Sequence, residues 1–285
     1  MNNTVARKME TPVRKAVRDE NFPVGSLLLS RSLRPHVESF YNLAREMDDI
    51  ADNGNISWED KLALLDRFEK AITDEQTEDP DLGNVRAISA SSAKTGVSLR
   101  HVVDLIHAFK QDAIKHRYAD WEDLIAYCNL SASPVGRFLM DIHGEDTAKY
   151  PLSDALCNVL QVLNHLQDLK DDYRNLDRVY LPGDWMAMRG VGVEELNGQS
   201  AGPGLRAVID LCLDNCDRLM IDARRLSSEL TDRRLRMEAS VIVRLAERLL
   251  DLLRKGDPIA ESVVLTKRDF LLCGLTGIVA ALLKK

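Results

Sequence analysis

Aromatic side chains make up only 5% of this 285-residue sequence. Its 15 glycines and 9 prolines fall below the average combined share of about 12%. So few turn formers argue against sandwich and barrel folds, which turn tightly about every ten residues. A cationic excess is also missing: 38 Lys and Arg stand against 45 Asp and Glu, a formal net charge of −7, which excludes the electrostatic footprint of a nucleic-acid binder. Cysteine is sparse and odd in number. Cys128, Cys157, Cys212, Cys216 and Cys273 lie in apolar helical stretches with no signal peptide ahead of them, which points to a reducing cytoplasm. Cys212 and Cys216 stand one helical turn apart without His or Cys companions at ligand spacing, so they read as small core residues. The longest apolar run, 270–283, is shorter than the roughly 20 residues that cross a bilayer. It is expected as a buried last helix, with contact at the inner membrane surface as the alternative. A Gly-rich phosphate loop, a dinucleotide fingerprint and a fixed-period repeat are all lacking.

What the chain does have is apolar residues, 45% of the total, at helical spacing. Residues 1–20 combine basic side chains with little apolar content and read as a mobile arm. From there to residue 285 the pattern predicts a single all-α domain of about ten helices. One long helix carries Leu33, Val37, Phe40, Leu43, Ala44, Met47, Ile50 and Ala51. Amphipathic stretches follow at 57–74, 83–95, 97–116, 120–131, 134–143, 152–173, 204–229, 233–255 and 258–283. Residues 182–204 hold six glycines and two prolines and read as the one long irregular connection. No segment alternates like a strand. Trp58, Trp121 and Trp185 are expected to pack.

Two acidic constellations carry the chemistry. Asp48 and Asp52 stand four apart on one face near the C-terminal end of the first long helix, and Asp168 and Asp172 repeat the arrangement behind the apolar stretch Leu156–Leu166. Carboxylates so placed repel each other and the negative end of the helix dipole, so they need cations. One such pair is a common solvated face. Two pairs facing one another would hold hard Mg²⁺ ions, which complete their shells with water and a phosphate or diphosphate. Arg45 and Arg178 lie close enough in sequence to clamp diphosphate oxygens, and an exposed ion pair is the alternative for each. Asn164 and Gln161 share the face of Asp168, where a buried amide requires a partner such as an oriented water. His165, about a hundred degrees round the helix from Asn164, reads as a core histidine. Metal-bound diphosphate at the mouth of an apolar helical cavity suggests ionisation of an allylic or similar diphosphate in a dry pocket.

These residues resemble the squalene/phytoene synthase family, whose two Asp-x-x-x-Asp motifs match Asp48 to Asp52 and Asp168 to Asp172. The resemblance runs from Asn21 to the C-terminus and implies the isoprenoid synthase fold, with the helices around a central cavity. The stretch Phe40-Tyr41-Asn-Leu-Ala-Arg45-Glu-Met-Asp48 is similar to the family's aromatic–Arg–Asp helix, and QVLNHLQDLKDDYRNLDRVYLP to its second motif region. By that resemblance Tyr41, Arg45, Arg178 and Tyr180 bind diphosphate. Asp48, Asp52, Asp168 and Asp172 hold two or three Mg²⁺ ions, with Asn164 and Gln161 beside them in catalysis. Within the family, Leu163-Asn-His-Leu-Gln-Asp168, Glu20–Ser26 and Ser131–Arg137 look most like the hydroxysqualene synthases of hopanoid pathways. Leu130 and Gln167 replace the Tyr and Arg common in the condensing enzymes. The implied reaction is ionisation of presqualene diphosphate and quenching by water, with NADPH not expected. Tyr127 and Cys128 are implied to line the apolar wall. A prenyltransferase condensing two farnesyl-type diphosphates is the alternative, and a non-catalytic helical scaffold the third. Implied partners are the isoprenoid diphosphate, a peripheral membrane contact and handover with other hopanoid-pathway enzymes.

Overall fold

The computed structural model describes residues 28–74, 79 and 81–283, so the arm expected over 1–20 lies outside the described residues. Along the chain run α1 (Arg34–Ala51), α2 (Trp58–Thr73), α3 (Gly83–Thr95), α4 (Arg100–Asp112), β1 (Arg117–Tyr118), α5 (Trp121–Ser131), α6 (Ser133–Ile142), α7 (Tyr150–Gln167), α8 (Leu169–Leu176), β2 (Val179–Pro182), α9 (Gly183–Met188), α10 (Pro203–Glu229), α11 (Arg233–Lys255) and α12 (Lys267–Leu283). Helix starts follow local chemistry. Pro35 occupies the first turn of α1, where a missing N–H costs nothing. Ser57, Asp120 and Asp232 accept backbone N–H groups at the starts of α2, α5 and α11.

Period dictates burial. On α10 the buried stripe Leu205, Val208, Ile209, Cys212, Leu213, Cys216, Met220 and Ala223 follows the 3.6-residue repeat. Cys212 and Cys216 are therefore core residues, and their thiols are free. The apolar interior falls into two contiguous clusters. One joins α1 to α4 with Phe138 of α6, whose ring stacks on Phe40 at 4.2 Å between centroids. The larger one is built by α5, α7, β2, α10 and α11.

Four expectations are corrected. The helix expected over 152–173 breaks at Asp168 into α7 and α8. A short parallel strand pair exists: Arg117 pairs with Val179, and Val179 N–H donates to His116 O at 2.9 Å. Two residues are too few to show an alternating pattern. The 182–204 stretch is partly ordered as α9 and a 3₁₀ turn at Val193–Asn197. Trp185 of α9 stacks on Trp121 of α5 at 5.7 Å.

The last helix begins at Lys267 rather than 258, and it is not buried. Only Asp269, Gly277 and Ala281 of α12 are fully buried and Phe270 and Cys273 pack partly against the core, while Leu271, Leu272, Leu275, Val279, Leu282 and Leu283 are exposed. Burial on one narrow side is enough because α12 runs antiparallel along α11 at close range. Asp269 bonds Arg248 at 2.7 Å, Cys273 approaches Arg244 O at 3.6 Å, and Gly277 meets Val241.

A Cβ at Gly277 would lie 2.8 Å from Val241 Cα and 2.9 Å from its N, with backbone on the far side of the clash. Gly277→Val is therefore expected to destabilise the protein by about 1–3 kcal/mol, seen as a lowered melting temperature by circular dichroism. Gly274→Ala, with nothing within 4 Å of its Cβ, is the control and should hold or raise that temperature.

Candidate active site

The C-terminal end of α1 presents the first acidic pair. Asp52 is the C-cap of α1 and Asp48 lies one turn before it, at the negative end of the helix dipole. The cations that this placement requires are present. Lys61 Nζ donates to the last helical carbonyl, Ala51 O, at 2.7 Å, and Arg178 Nη2 donates to the same oxygen at 3.2 Å. Arg178 Nη1 holds Asp52 Oδ1 at 2.6 Å. Its Nε and Nη2 donate to Asp112 O at 3.2 and 2.9 Å. Arg178 is 6% exposed, and its fork is engaged by protein oxygens from two helix ends. Lys61 has no counterpart among the expected site residues. Arg45 Nη1 lies 2.7 Å from Asp48 Oδ2, and Nη2 lies 3.7 Å from Asp49. Tyr41 stands one turn before Arg45, half-buried. Desolvation, and then Asp52, push the Asp48 carboxyl up to about 7 against the pull of Arg45.

The second pair sits at the α7–α8 break. Asp168 ends α7, its N–H still donating to Asn164 O at 3.0 Å, and its carbonyl accepts Asp172 N–H at 2.8 Å to begin α8. Asp171 and Asp172 therefore occupy the first turn of a new helix. This reverses the expected electrostatics: instead of opposing a helix C-terminus, Asp172 is favoured by the positive end of α8. Gln161 Nε2 lies 3.2 Å from His165 Nε2, and His165 Nδ1 lies 4.0 Å from Asp172 Oδ2. The imidazole stacks on Tyr180 at 3.5 Å between centroids with planes 10° apart. Burial drives its pKa down to about 3, so the ring is neutral. Gln167 turns away from this site and donates to Val263 O between α11 and α12.

What sequence reasoning missed is Asp112, the last residue of α4. It is buried, and Tyr127 Oη donates to its Oδ2 at 2.9 Å and Tyr180 Oη to its Oδ1 at 3.4 Å. Tyr127 thus spends its hydroxyl on Asp112 and does more than line an apolar wall. Desolvation pushes Asp112 up to about 7, with Arg178 pulling the other way. A signal for it existed: Asp112 continues the buried stripe His101, Leu105 and Ala108 at helical spacing. Asp112 also bridges the motifs, since Arg178 reaches from it to Asp52 while Tyr180 reaches from it to His165, beside Asp172.

Among the described residues, no three Asp, Glu, His or Cys side chains are gathered closely enough to hold a metal ion unaided. The donor set nonetheless suits Mg²⁺, which takes few protein carboxylates and keeps water or phosphate oxygens for the remainder. Carboxylates without a cation between them repel. A cleft of about 680 Å³ opens beside Asp52, lined by Trp58, Lys61, Asp112, His116, Arg174 and Arg178 among others. Trp58 is thus a rim residue, 53% exposed, rather than packed. An apolar pocket of about 130 Å³ lies between α6, α7, α10 and α11, lined by Leu139, Leu156, Leu160, Leu230 and Ile242 among others.

Arg178→Met leaves the Asp52 carboxylate and Asp112 O without the donor that Arg178 supplies, and Ala51 O with Lys61 alone, and is expected to destabilise the fold by about 3–5 kcal/mol. Urea unfolding measures it, with Arg178→Lys intermediate. For Asp112 the folded value lies above the roughly 3.9 of an unfolded chain. The folded state then binds the proton more tightly, and the contribution to stability falls as pH climbs from about 4 through about 7. Asp112→Asn removes that slope, so the melting temperature of the variant relative to the parent is expected to rise between about pH 5 and about pH 8.

The chain is similar to known proteins over most of its length. The family model described as Squalene/phytoene synthase matches residues 16–269. A hydroxysqualene synthase of Rhodopseudomonas palustris is 39% identical over 271 residues, covering 95% of this chain and 92% of the relative. One from Zymomonas mobilis is 39% identical over 267 residues, covering 94% and 89%. Among solved structures, the squalene synthase HpnC from Alicyclobacillus acidocaldarius superposes with a TM-score of 0.72 at 34% identity, over 82% of this chain and 88% of that one. A dehydrosqualene synthase, at 19% identity, shares the fold with a TM-score of 0.77 over 93% of both chains. With a family match over most of its length, the chain belongs to the squalene/phytoene synthase family.

Proposed function

We propose that this enzyme converts presqualene diphosphate and water to hydroxysqualene and diphosphate. The observation that carries the reading is the network Asp52–Arg178–Asp112–Tyr180–His165, which ties the end of α1 to the α7–α8 break and supports reading the two acidic pairs as parts of one site. The 39% identical hydroxysqualene synthases support it. Asp48, Asp52, Asp168 and Asp172 would hold two or three Mg²⁺ ions, which when bound offset the charge of a departing diphosphate. Arg45 and Tyr41 face the diphosphate from α1. Arg178 and Tyr180 act from β2 and the residue before it, Arg178 by fixing Asp52 against the last carbonyl of α1.

Loss of diphosphate leaves a cyclopropylcarbinyl cation, the ring opens by rearrangement, water adds at carbon, and one proton is released. No hydride is consumed, so NADPH is not required by the balance. Asn164 and Gln161, on the inner face of α7, place the water, and the stacked Tyr180 face beside them is a neutral, electron-rich wall. Gln167 supports hydrolysis over condensation. Where a condensing enzyme would carry a cation, this chain uses an amide to fasten the segment between its last two helices.

Residues 21–285 form one isoprenoid synthase domain in this reading. The enzyme works in the cytoplasm at the inner membrane surface, where its apolar substrate and product are exchanged with other hopanoid-pathway enzymes. Among the described residues no helix is long and apolar enough to cross a membrane.

The test is a product assay with Mg²⁺, supplying presqualene diphosphate and farnesyl diphosphate separately, with and without reduced nicotinamide. Hydroxysqualene from presqualene diphosphate alone is expected, with Asp168→Ala lowering the rate by about a hundredfold or more. Consumption of farnesyl diphosphate in its place would overturn the proposal in favour of a condensing prenyltransferase.

A further inference from the structure

Eleven large apolar side chains are exposed among the described residues, and six of them lie on α12: Leu271, Leu272, Leu275, Val279, Leu282 and Leu283. The other five are Trp58, Ile114, Met188, Ile221 and Val264, of which only Val264 neighbours this helix in sequence. Leu271, Leu275, Val279 and Leu282 recur every three or four residues and form one continuous stripe. This is not a frayed end. Asp269 accepts the Thr266 N–H at 2.8 Å and its hydroxyl at 2.6 Å, capping the helix, and accepts Arg248 Nε at 2.7 Å, fixing it to α11. The opposite side is locked by the close approach of Gly277 to Val241. The helix thus holds its apolar face outward on a rigid base.

Charge identifies what covers that face. Lys267 and Arg268 are exposed at its first turn, and the sequence continues beyond Leu283 with Lys284 and Lys285. The only acidic side chain of α12, Asp269, is turned inward to Arg248. In a chain with a net charge of −7, α12 is cationic at its exposed first turn and apolar beyond it. Pairing with a second copy in parallel would set the basic first turns against one another, and no acidic side chain of α12 faces outward to meet them. An anionic lipid surface complements the basic first turn and the stripe at once. The 17 residues of α12 span about 25 Å, and with one side bound to α11 the helix must lie along the surface rather than cross it.

We infer that the outer face of α12 is a membrane-docking surface, seating in the headgroup region of an anionic phospholipid layer. This deepens the membrane contact of the proposed function, and on that reading it has a use. α11 is the wall between α12 and the apolar pocket: Ala239 and Ile242 line the pocket, while Val241 carries Gly277. Docking through α12 would hold the pocket's outer wall beside the layer from which a long isoprenoid enters.

Co-sedimentation of the full chain with vesicles tests it, using phosphatidylcholine alone against phosphatidylcholine mixed with phosphatidylglycerol, at low and high salt and without substrate. Binding to the anionic vesicles is expected, weakened by salt. It should fall by about tenfold or more both in Leu271→Ser/Leu275→Ser/Val279→Ser and in Lys267→Glu/Arg268→Glu. All five side chains are exposed, and circular dichroism confirms that the variants remain folded. Turnover of detergent-dispersed presqualene diphosphate should be unchanged in both variants, which separates failure of docking from failure of the proposed reaction. Equal binding of parent and variants, or no binding to either vesicle, would overturn the inference. A parent dimer that the triple variant converts to monomer in light scattering, without vesicle binding, would assign the face to a second copy instead.

Discussion

One guanidinium joins the parts of this molecule that carry chemistry. Arg178 is buried, and its donors go to the Asp52 carboxylate, to the final carbonyl of α1 and to the final carbonyl of α4. Two helix C-termini, each a concentration of partial negative charge, would repel one another and the acidic pair between them. A planar, permanently charged fork satisfies all three at once, which an ammonium on a flexible stem would not do. Lys61 adds a second donor to the same carbonyl from the other side. The acidic pair on α1 is tolerable because this cationic brace lies behind it.

The brace is placed by an element of four residues. β2 pairs with β1, and that clip sets Arg178 just before the strand and Tyr180 within it, facing Asp112. Around the carboxyl of Asp112 the rings of Tyr118, Tyr127, Tyr180 and His165 form a continuous aromatic group, with centroid separations from 3.5 to 6.0 Å. Aromatic residues are few in this chain, yet three of its six tyrosines are spent here. Through Arg178 and His165 the same cluster runs from Asp52 to the neighbourhood of Asp172, so the scarce residue type marks the place where α1, α4 and the α7–α8 break meet.

The helices were legible because their apolar residues repeat at the helical period over long stretches, and α10 and α11 show this most plainly. The break at Asp168 was not. Backbone bonds continue through it on either side, and nothing in the local residues distinguishes a helix that passes through from one that restarts. That restart changes the energetics of Asp171 and Asp172 from opposed to favoured by the helix dipole, so reading one continuous helix assigned them the wrong sign. The paired aspartates themselves, with Arg45, Gln161 and Asn164, were visible from spacing. Asp112 showed only as the end of a buried stripe on α4, because Arg178 and Tyr180, which it meets, lie 66 and 68 residues further on, and nothing in the sequence tied Lys61 to the helix carbonyl it caps. The outward face of α12 escaped for a different reason. A run that is apolar nearly all round reads as buried, whereas only its small residues, Gly277 and Ala281, are.

The span between partners in this brace has a consequence for how the protein assembles. Arg178 and Asp52 are 126 residues apart, and Arg178 and Asp112 are 66 apart. Closing a loop of the longer length carries an entropic penalty of about 4 kcal/mol, which must be met by packing before the ion pair can form. The site is then a late product of folding. Both helix ends have to be docked before the guanidinium finds its acceptors, so no fragment ending before residue 178 contains the completed centre.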